Sequence, residues 1–299
     1  MRILVTGASG FIGQRLCPLL AKDGHKVWAL TRGSGAVAGC ASTLVGDLEV
    51  GPVNLQAAAP QAVVHLAGEN IGAARWTAQQ KARIRDSRLT GSHHLAVSLA
   101  ELPQVPAIAI CSAAVGYYGD RGDEVLNENS TPGQGFLAEV CTAWEAETKK
   151  LLPMGRWVAL RTGVVFGRGG GALPRMALPF RLFAGGPLGS GQQWLSWIHR
   201  DDLCGLVRFA LTHAEVSGQV NAVAPQALRN GDLAKLLGKI LHRPAFLPTP
   251  AFALRLALGE MADELLFSSQ RCVPERATGF GYQFAFPQAE AALREALGA

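Results

Sequence analysis

Three glycines at three-residue steps, Gly7, Gly10 and Gly13, follow directly on the apolar run Ile3-Leu4-Val5 and open a stretch of helical character over residues 11–23. Strand, tight turn and helix are the only elements that order can build. In that setting Gly7 permits the turn, Gly10 lets backbone approach a pyrophosphate, and Gly13 allows close helix-to-strand packing. Backbone N–H groups at the helix start then face an anion. The spacing predicts a dinucleotide loop at Thr6, Gly7, Ser9, Gly10, Phe11, Ile12 and Gly13; an ordinary glycine-rich turn is the plainer alternative.

The rest of the chain extends the pattern. Residues 2–6, 26–31, 43–46, 62–66, 105–111, 157–162 and 219–224 read as strands, and residues 11–23, 77–100, 134–152 and 201–212 as helices. Alternation of this kind implies a parallel sheet, and continuously apolar segments such as Val63-Val64 suit strands buried on both faces. Gly24 supplies a cheap left-handed cap for the first helix. The expected fold is α/β, a Rossmann-type doubly wound parallel sheet with a smaller, loop-rich C-terminal substrate lobe. Residues 167–191 are rich in Gly and Pro and should leave the sheet. The expected division is a dinucleotide-binding domain over 1–166, rejoined by 192–224, and a substrate lobe over 167–191 and 225–299.

The second strand ends in Thr31-Arg32-Gly33. Sites for NAD carry an Asp or Glu there to accept from the ribose 2′-hydroxyl, which Arg32 cannot do. Its guanidinium suits a 2′-phosphate, so the expected cofactor is NADP(H); an exposed loop arginine is the alternative.

Hydrophobic residues make up 48% of the 299 and charged residues 17%, the balance of a folded domain rather than a solvated tail. A net charge of +5, spread along the chain, argues against nucleic acid as partner. No apolar run reaches membrane-spanning length and residues 1–5 lead straight into a strand, so no membrane association and a cytoplasmic location are expected. The six cysteines include no Cys-x-x-Cys pair, so neither a metal site nor a disulfide framework is expected.

With these residues in view, the chain resembles the extended short-chain dehydrogenase/reductase superfamily, which includes nucleotide-sugar epimerases and dehydratases. The likeness rests on the glycine loop, Gly46-Asp47-Leu48, His65-Leu66-Ala67-Gly68, residues 160–167 and Trp197-Ile198-His199-Arg200-Asp201-Asp202. A nearer resemblance is to the atypical YfcH-like branch, carried by Gly68-Glu69-Asn70-Ile71, Arg75-Trp76-Thr77, Ser87-Arg88, residues 115–120, residues 136–141 and the C-terminal Ser269-Gln270-Arg271-Cys272-Val273-Pro274. The resemblance implies that Asp47 contacts adenine, that Leu48, Leu66, Ala67 and Gly68 line the cofactor, and that the protein self-associates through its two long helices, a homodimer being one arrangement open to it, with the copy number not fixed by the sequence. It implies an oxidoreductase or epimerase-like enzyme acting on a small molecule, anionic or nucleotide-linked.

The superfamily's chemistry uses a Tyr and, four residues on, a Lys that lowers the phenol's pKa. The resemblance implies that Phe136 and Val140 fall at those positions, and Ala113, beside Ser112, at the position of the helper Ser. Neither Phe nor Val moves a proton. Substitute candidates are Tyr118 first, then Glu139, Tyr117 and Ser112; Tyr118 as a packed aromatic and Glu139 as a structural ion partner are the alternatives. A non-catalytic, NADP(H)-dependent binding or regulatory protein is the competing function. Lys81, Arg85 and Arg88 recur at helical steps and suggest an anion site, against the default of a solvated face. Arg75, Arg88 and Arg161 are the expected substrate contacts, with Arg75-Trp76 as a phosphate clamp or simply a buried Trp beside a rim Arg.

Overall fold

The computed structural model describes all 299 residues. Two compact units divide them: residues 1–113, 140–160 and 204–220 form the first, and residues 114–139, 161–203 and 221–299 the second. The second unit thus takes in residues 114–139, 161–166, 192–203 and 221–224, which the expected boundary assigned to the nucleotide-binding domain. Clustered Pro and Gly begin only at residue 167, inside the segment that leaves at Arg161, and the earlier departure begins at the smooth apolar segment Ala114-Val115, which carries no such signal.

The first unit is built on a seven-stranded sheet. Its strands are β1 (Arg2–Thr6), β2 (Lys26–Thr31), β3 (Ser42–Val45), β4 (Ala62–His65), β5 (Ile108–Ala114), β6 (Arg156–Thr162) and β7 (Gly218–Ala222). They lie in the order β7-β6-β5-β4-β1-β2-β3, so the order reverses beside β1. Pairing is parallel from β5 through β4, β1 and β2 to β3. This is the Rossmann-like α/β fold expected, and Ile3, Leu4, Val5, Val63 and Val64 are fully buried, as strands covered on both faces require. The helices are α1 (Gly13–Lys22), α2 (Ala78–Ala100), α3 (Phe136–Lys150) and α4 (Arg200–Thr212).

Local chemistry fixes the helix ends. Gly24, at φ +82°, closes α1: its N–H donates to Ala21 O, while the His25 N–H reaches back to Leu20 O. Thr77 Oγ1 accepts from the Gln80 N–H at 3.1 Å and starts α2. The four-residue strand β3 ends at Val45 rather than Gly46, and β5 starts at Ile108 rather than 105 because Pro106 has no N–H to donate.

In the second unit, helix Asn230–Leu241 and helix Ala289–Leu297 share a core with Phe166, Phe180 and Trp197. Ties from far along the chain close it. Both Asp202 carboxylate oxygens accept backbone N–H groups, of Ala285 at 2.7 Å and Phe286 at 2.9 Å. Glu264 caps the start of α3, accepting from the N–H groups of Phe136 at 2.7 Å and Leu137 at 3.0 Å. No helix is long and apolar enough to cross a membrane.

Candidate cofactor site

A cavity of about 250 Å³ opens in the first unit beside the carboxyl ends of β1, β2 and β4, where the strand order reverses. Thr6, Gly7, Ser9, Gly10, Arg32, Asp47, Leu48, Leu66, Ala67 and Gly68 line it, as the sequence predicts. Phe11, Ile12 and Gly13 are not on its wall. Phe11 and Ile12 form the turn that leads into α1, and Gly13, its first residue, is buried against that turn.

Each glycine of the trio answers to a different demand. Gly7 has φ +67°, and a Cβ there would stand 2.8 Å from the Leu66 carbonyl carbon. A Cβ on Gly13 would lie 2.5 Å from the Ala8 and Gly7 oxygens. Gly10 is different: its φ is ordinary and its Cβ would meet only Gly7 O, at 3.1 Å. The chain constrains Gly10 less than its two neighbours in the trio, and Gly10 is exposed on the cavity wall, where it leaves the backbone open to close approach. Above it, α1 begins at Ile12 without a side-chain cap or an acidic residue in its first turn, which leaves a positive helix end open to an anion.

Beneath the cavity runs a chain of hydrogen bonds. Thr6 and His65 are register partners on β1 and β4, and Thr6 Oγ1 lies 2.7 Å from His65 Nδ1. On the far side of the ring, His65 Nε2 lies 3.2 Å from Ser92 Oγ, which accepts from Trp144 Nε1–H at 3.2 Å. Both ring nitrogens are thus paired with a hydroxyl, each of which can donate or accept, so the neutral ring is satisfied on both sides. Thr6 Oγ1 also accepts from the Ala67 N–H at 3.2 Å. Thr6 is 1% exposed and lines the cavity. Burial, reinforced by the Arg88 charge, holds the His65 imidazole down to about 4, which keeps the ring neutral in this role.

Arg32 and Glu49 face each other across the outer rim at 3.9 Å, with Arg32 73% exposed. Asp47 Oδ1 accepts from the Glu49 N–H at 2.9 Å and shapes that rim. Sequence reasoning did not find the side chains of His65, Glu49, Ser92 or Trp144. Only the position of His65 in the fourth strand, level with Thr6, offered a signal.

Several expected roles change. Tyr118, ranked first for proton transfer, is fully buried in the second unit. Its hydroxyl donates toward Asn221 Oδ1 at 2.7 Å and Asn127 O at 2.9 Å and accepts from Arg161 Nη1 at 2.9 Å, and burial pushes the phenol up. Sealed and saturated, it is a packing residue. Arg161, expected at the substrate, is 2% exposed and stacks its guanidinium 3.6 Å from the Tyr117 ring centroid. Arg88 turns inward as well: it donates to Ile84 O and Glu69 O, lies over the Trp144 ring and sits beneath Gly68. That makes it a strut for the segment on the cavity wall. The row Lys81, Arg85, Arg88 consequently presents no common charged face, since Arg85 pairs with Asp86 at 2.8 Å.

Arg75 is exposed beside Trp76, whose Nε1–H donates to Ile71 O at 2.8 Å. Glu139 is exposed in the first turn of α3, and Ser112 is half-buried near the end of β5. A second cavity, of about 320 Å³, lies in the second unit at Arg168, Leu173 and Arg181. Arg168 there is committed to Glu295, and no buried polar group points into the space.

The glycine cradle, the helix end and the strand reversal coincide in one cavity. A family model described as the NAD dependent epimerase/dehydratase family matches residues 3–223, and a domain of unknown function, DUF1731, matches residues 249–296. The chain belongs to the NAD dependent epimerase/dehydratase family. Within this epimerase family it is 40% identical to the Arabidopsis thaliana protein named epimerase family protein SDR39U1 homolog, chloroplastic, over 98% of this chain and 86% of that one. It is 36% identical to Bacillus subtilis epimerase family protein YfhF, over 99% and 97% of the two chains. The crystal structure of human epimerase family protein SDR39U1 (isoform2) with NADPH superimposes with a TM-score of 0.90 at 36% identity, covering 100% of this chain and 99% of that one.

Proposed function

We propose that this protein is an NADP(H)-dependent enzyme that transfers hydride to or from a small carbonyl or carbinol substrate, anionic or nucleotide-linked, without the Tyr–Lys pair. The observation that carries the reading is the cavity wall, where the glycine loop, the uncapped start of α1 and Thr6 meet at one space and Arg32 replaces the acid of NAD sites. The similar human protein was crystallised with NADPH, which supports the choice of dinucleotide. In this reading, backbone around Ser9 and Gly10 holds the diphosphate, Thr6 borders it, and Arg32 turns from Glu49 to a 2′-phosphate. Asp47 and Leu48 border the adenine, and Leu66, Ala67 and Gly68 form the wall. Bound NADPH supplies the hydride. Glu139 and Ser112 are the protic candidates for proton transfer, and Arg75 is the candidate substrate contact.

A second reading is a protein that binds NADP(H) and a partner without turnover. It is favoured by Phe136, Val140 and the sealed Tyr118, which leave the usual proton-transfer positions empty of acids. Loading the protein with NADPH and following reduced-nicotinamide absorbance against carbonyl and nucleotide-sugar panels separates the two. Oxidation by any panel member supports the enzyme. Tight NADPH uptake with silence across the panel overturns it in favour of the second reading, and no dinucleotide uptake at all refutes both.

A further inference from the structure

Cys17 and Cys40 meet in the first unit, away from the cavity wall. Cys17 lies on α1 and is fully buried; Cys40, in the loop between β2 and β3, is half-buried. Gly39 forces the meeting. It has φ +78°, and a Cβ on it would stand 2.4 Å from Pro18 N and 2.7 Å from the Cys17 carbonyl carbon. The loop backbone therefore lies directly on the backbone of α1. The two sulfurs are hydrogen-bonded, which holds the Cys40 thiol below its ordinary value and, with burial, pushes the Cys17 thiol up. The result is an accessible, more readily ionised thiol beside a sheltered one, the arrangement in which oxidation of the first is resolved by the second.

We propose that Cys40 and Cys17 form a peroxide-responsive disulfide that staples the loop over residues 32–41 to α1. The Cys40 thiolate attacks one peroxide oxygen, the O–O bond breaks, and hydroxide leaves with a sulfenic acid formed on Cys40. Cys17 then gives up its proton and attacks the Cys40 sulfur; the S–O bond breaks and water departs. Two electrons pass from the thiol pair to the peroxide, which ends as two waters. A disulfide needs two Cα atoms within about 7 Å, and the contact of the loop backbone at Gly39 with α1 at Cys17 and Pro18 brings the two segments together. Cys204, buried and near enough to Cys17 to raise it electrostatically, is the rival partner.

The test is intact-mass and peptide analysis of the full-length protein after stoichiometric hydrogen peroxide. The expected result is loss of two hydrogens, a fall of two in titratable thiols from six, and a linked peptide pair containing Cys17 and Cys40, all reversed by dithiothreitol. Tryptic cleavage after Arg32 should slow severalfold in the oxidised form, because the staple opposes local opening. Cys40→Ser should abolish the link and Cys204→Ser should leave it intact. A Cys17–Cys204 link, oxygen added to Cys40 without dithiol loss, or unchanged thiols would overturn the proposal. The wild-type peptide map decides the matter even if a variant folds poorly.

Discussion

Replacing His65 by Asn tests the hydrogen-bond chain through its pH dependence. Asn keeps a polar amide on the Thr6 side but has nothing that titrates. In the wild type the imidazole falls from 6.5 to about 4 on folding, chiefly through burial. At about 1.4 kcal/mol per pKa unit, that shift corresponds to about 3 kcal/mol of pH-dependent stability. A base with a depressed folded pKa is neutral in both states above pH 6.5, so this contribution is intact there. As pH falls toward 4, the unfolded chain takes up a proton that the native one refuses, and stability is lost until the native ring also protonates. Urea unfolding of wild type and His65→Asn from about pH 7.5 to about pH 4.5 reads the effect, other titrating groups cancelling between the two proteins. The wild type should lose about 2 to 3 kcal/mol relative to the variant over that interval. A stability difference that does not change with pH, or a His65 resonance titrating near the ordinary imidazole value of 6.5, would refute a neutral ring locked between Ser92 and Thr6.

Further expectations concern the rim and the glycines. Arg32→Ala should cost NADPH about tenfold in affinity while leaving NADH nearly untouched, the low end for a charge-assisted bond because Arg32 is largely exposed; equal losses for both, read by calorimetry, would exclude a 2′-phosphate contact. Glu49→Gln should tighten NADPH binding severalfold by releasing Arg32 and removing a like charge from the phosphate, and weaker binding would contradict that account. Gly10→Ala should abolish most dinucleotide uptake at near-normal Tm, whereas Gly13→Ala should lower Tm sharply; the reverse pattern would sink the division of roles drawn here. Tyr118→Phe should destabilise by about 1 to 3 kcal/mol in denaturant titrations through the unpaired Arg161 donor, with no specific loss of turnover in folded protein.

Local pattern made most of the fold legible. The strand over residues 2–6, the glycine loop and the helix ended by Gly24 are all written in neighbouring residues, and ten of the expected cofactor positions lie on the cavity wall. The mistakes fall where meaning depends on distant partners. Tyr118 reads as an accessible phenol until Asn221, 103 residues away, and Arg161 close over it. Arg88 looks like part of a charged stripe until Trp144 lies beneath its guanidinium. His65 is conspicuous only once β1 and β4 are side by side, since the register that pairs it with Thr6 is a property of the sheet.

The carboxylate of Glu264 at the start of α3 has a bearing on how the chain can be cut. That residue belongs to the stretch matched by DUF1731, yet the peptide groups it satisfies sit 127 or more positions upstream. A truncation at residue 248 would strip the leading turn of that helix of its counter-charge, and with the loss of Ala285 and Phe286 it would strand the Asp202 carboxylate in a dry interior. The tail is thus folded into the body as an internal brace, and removing it would yield a damaged molecule rather than a minimal one.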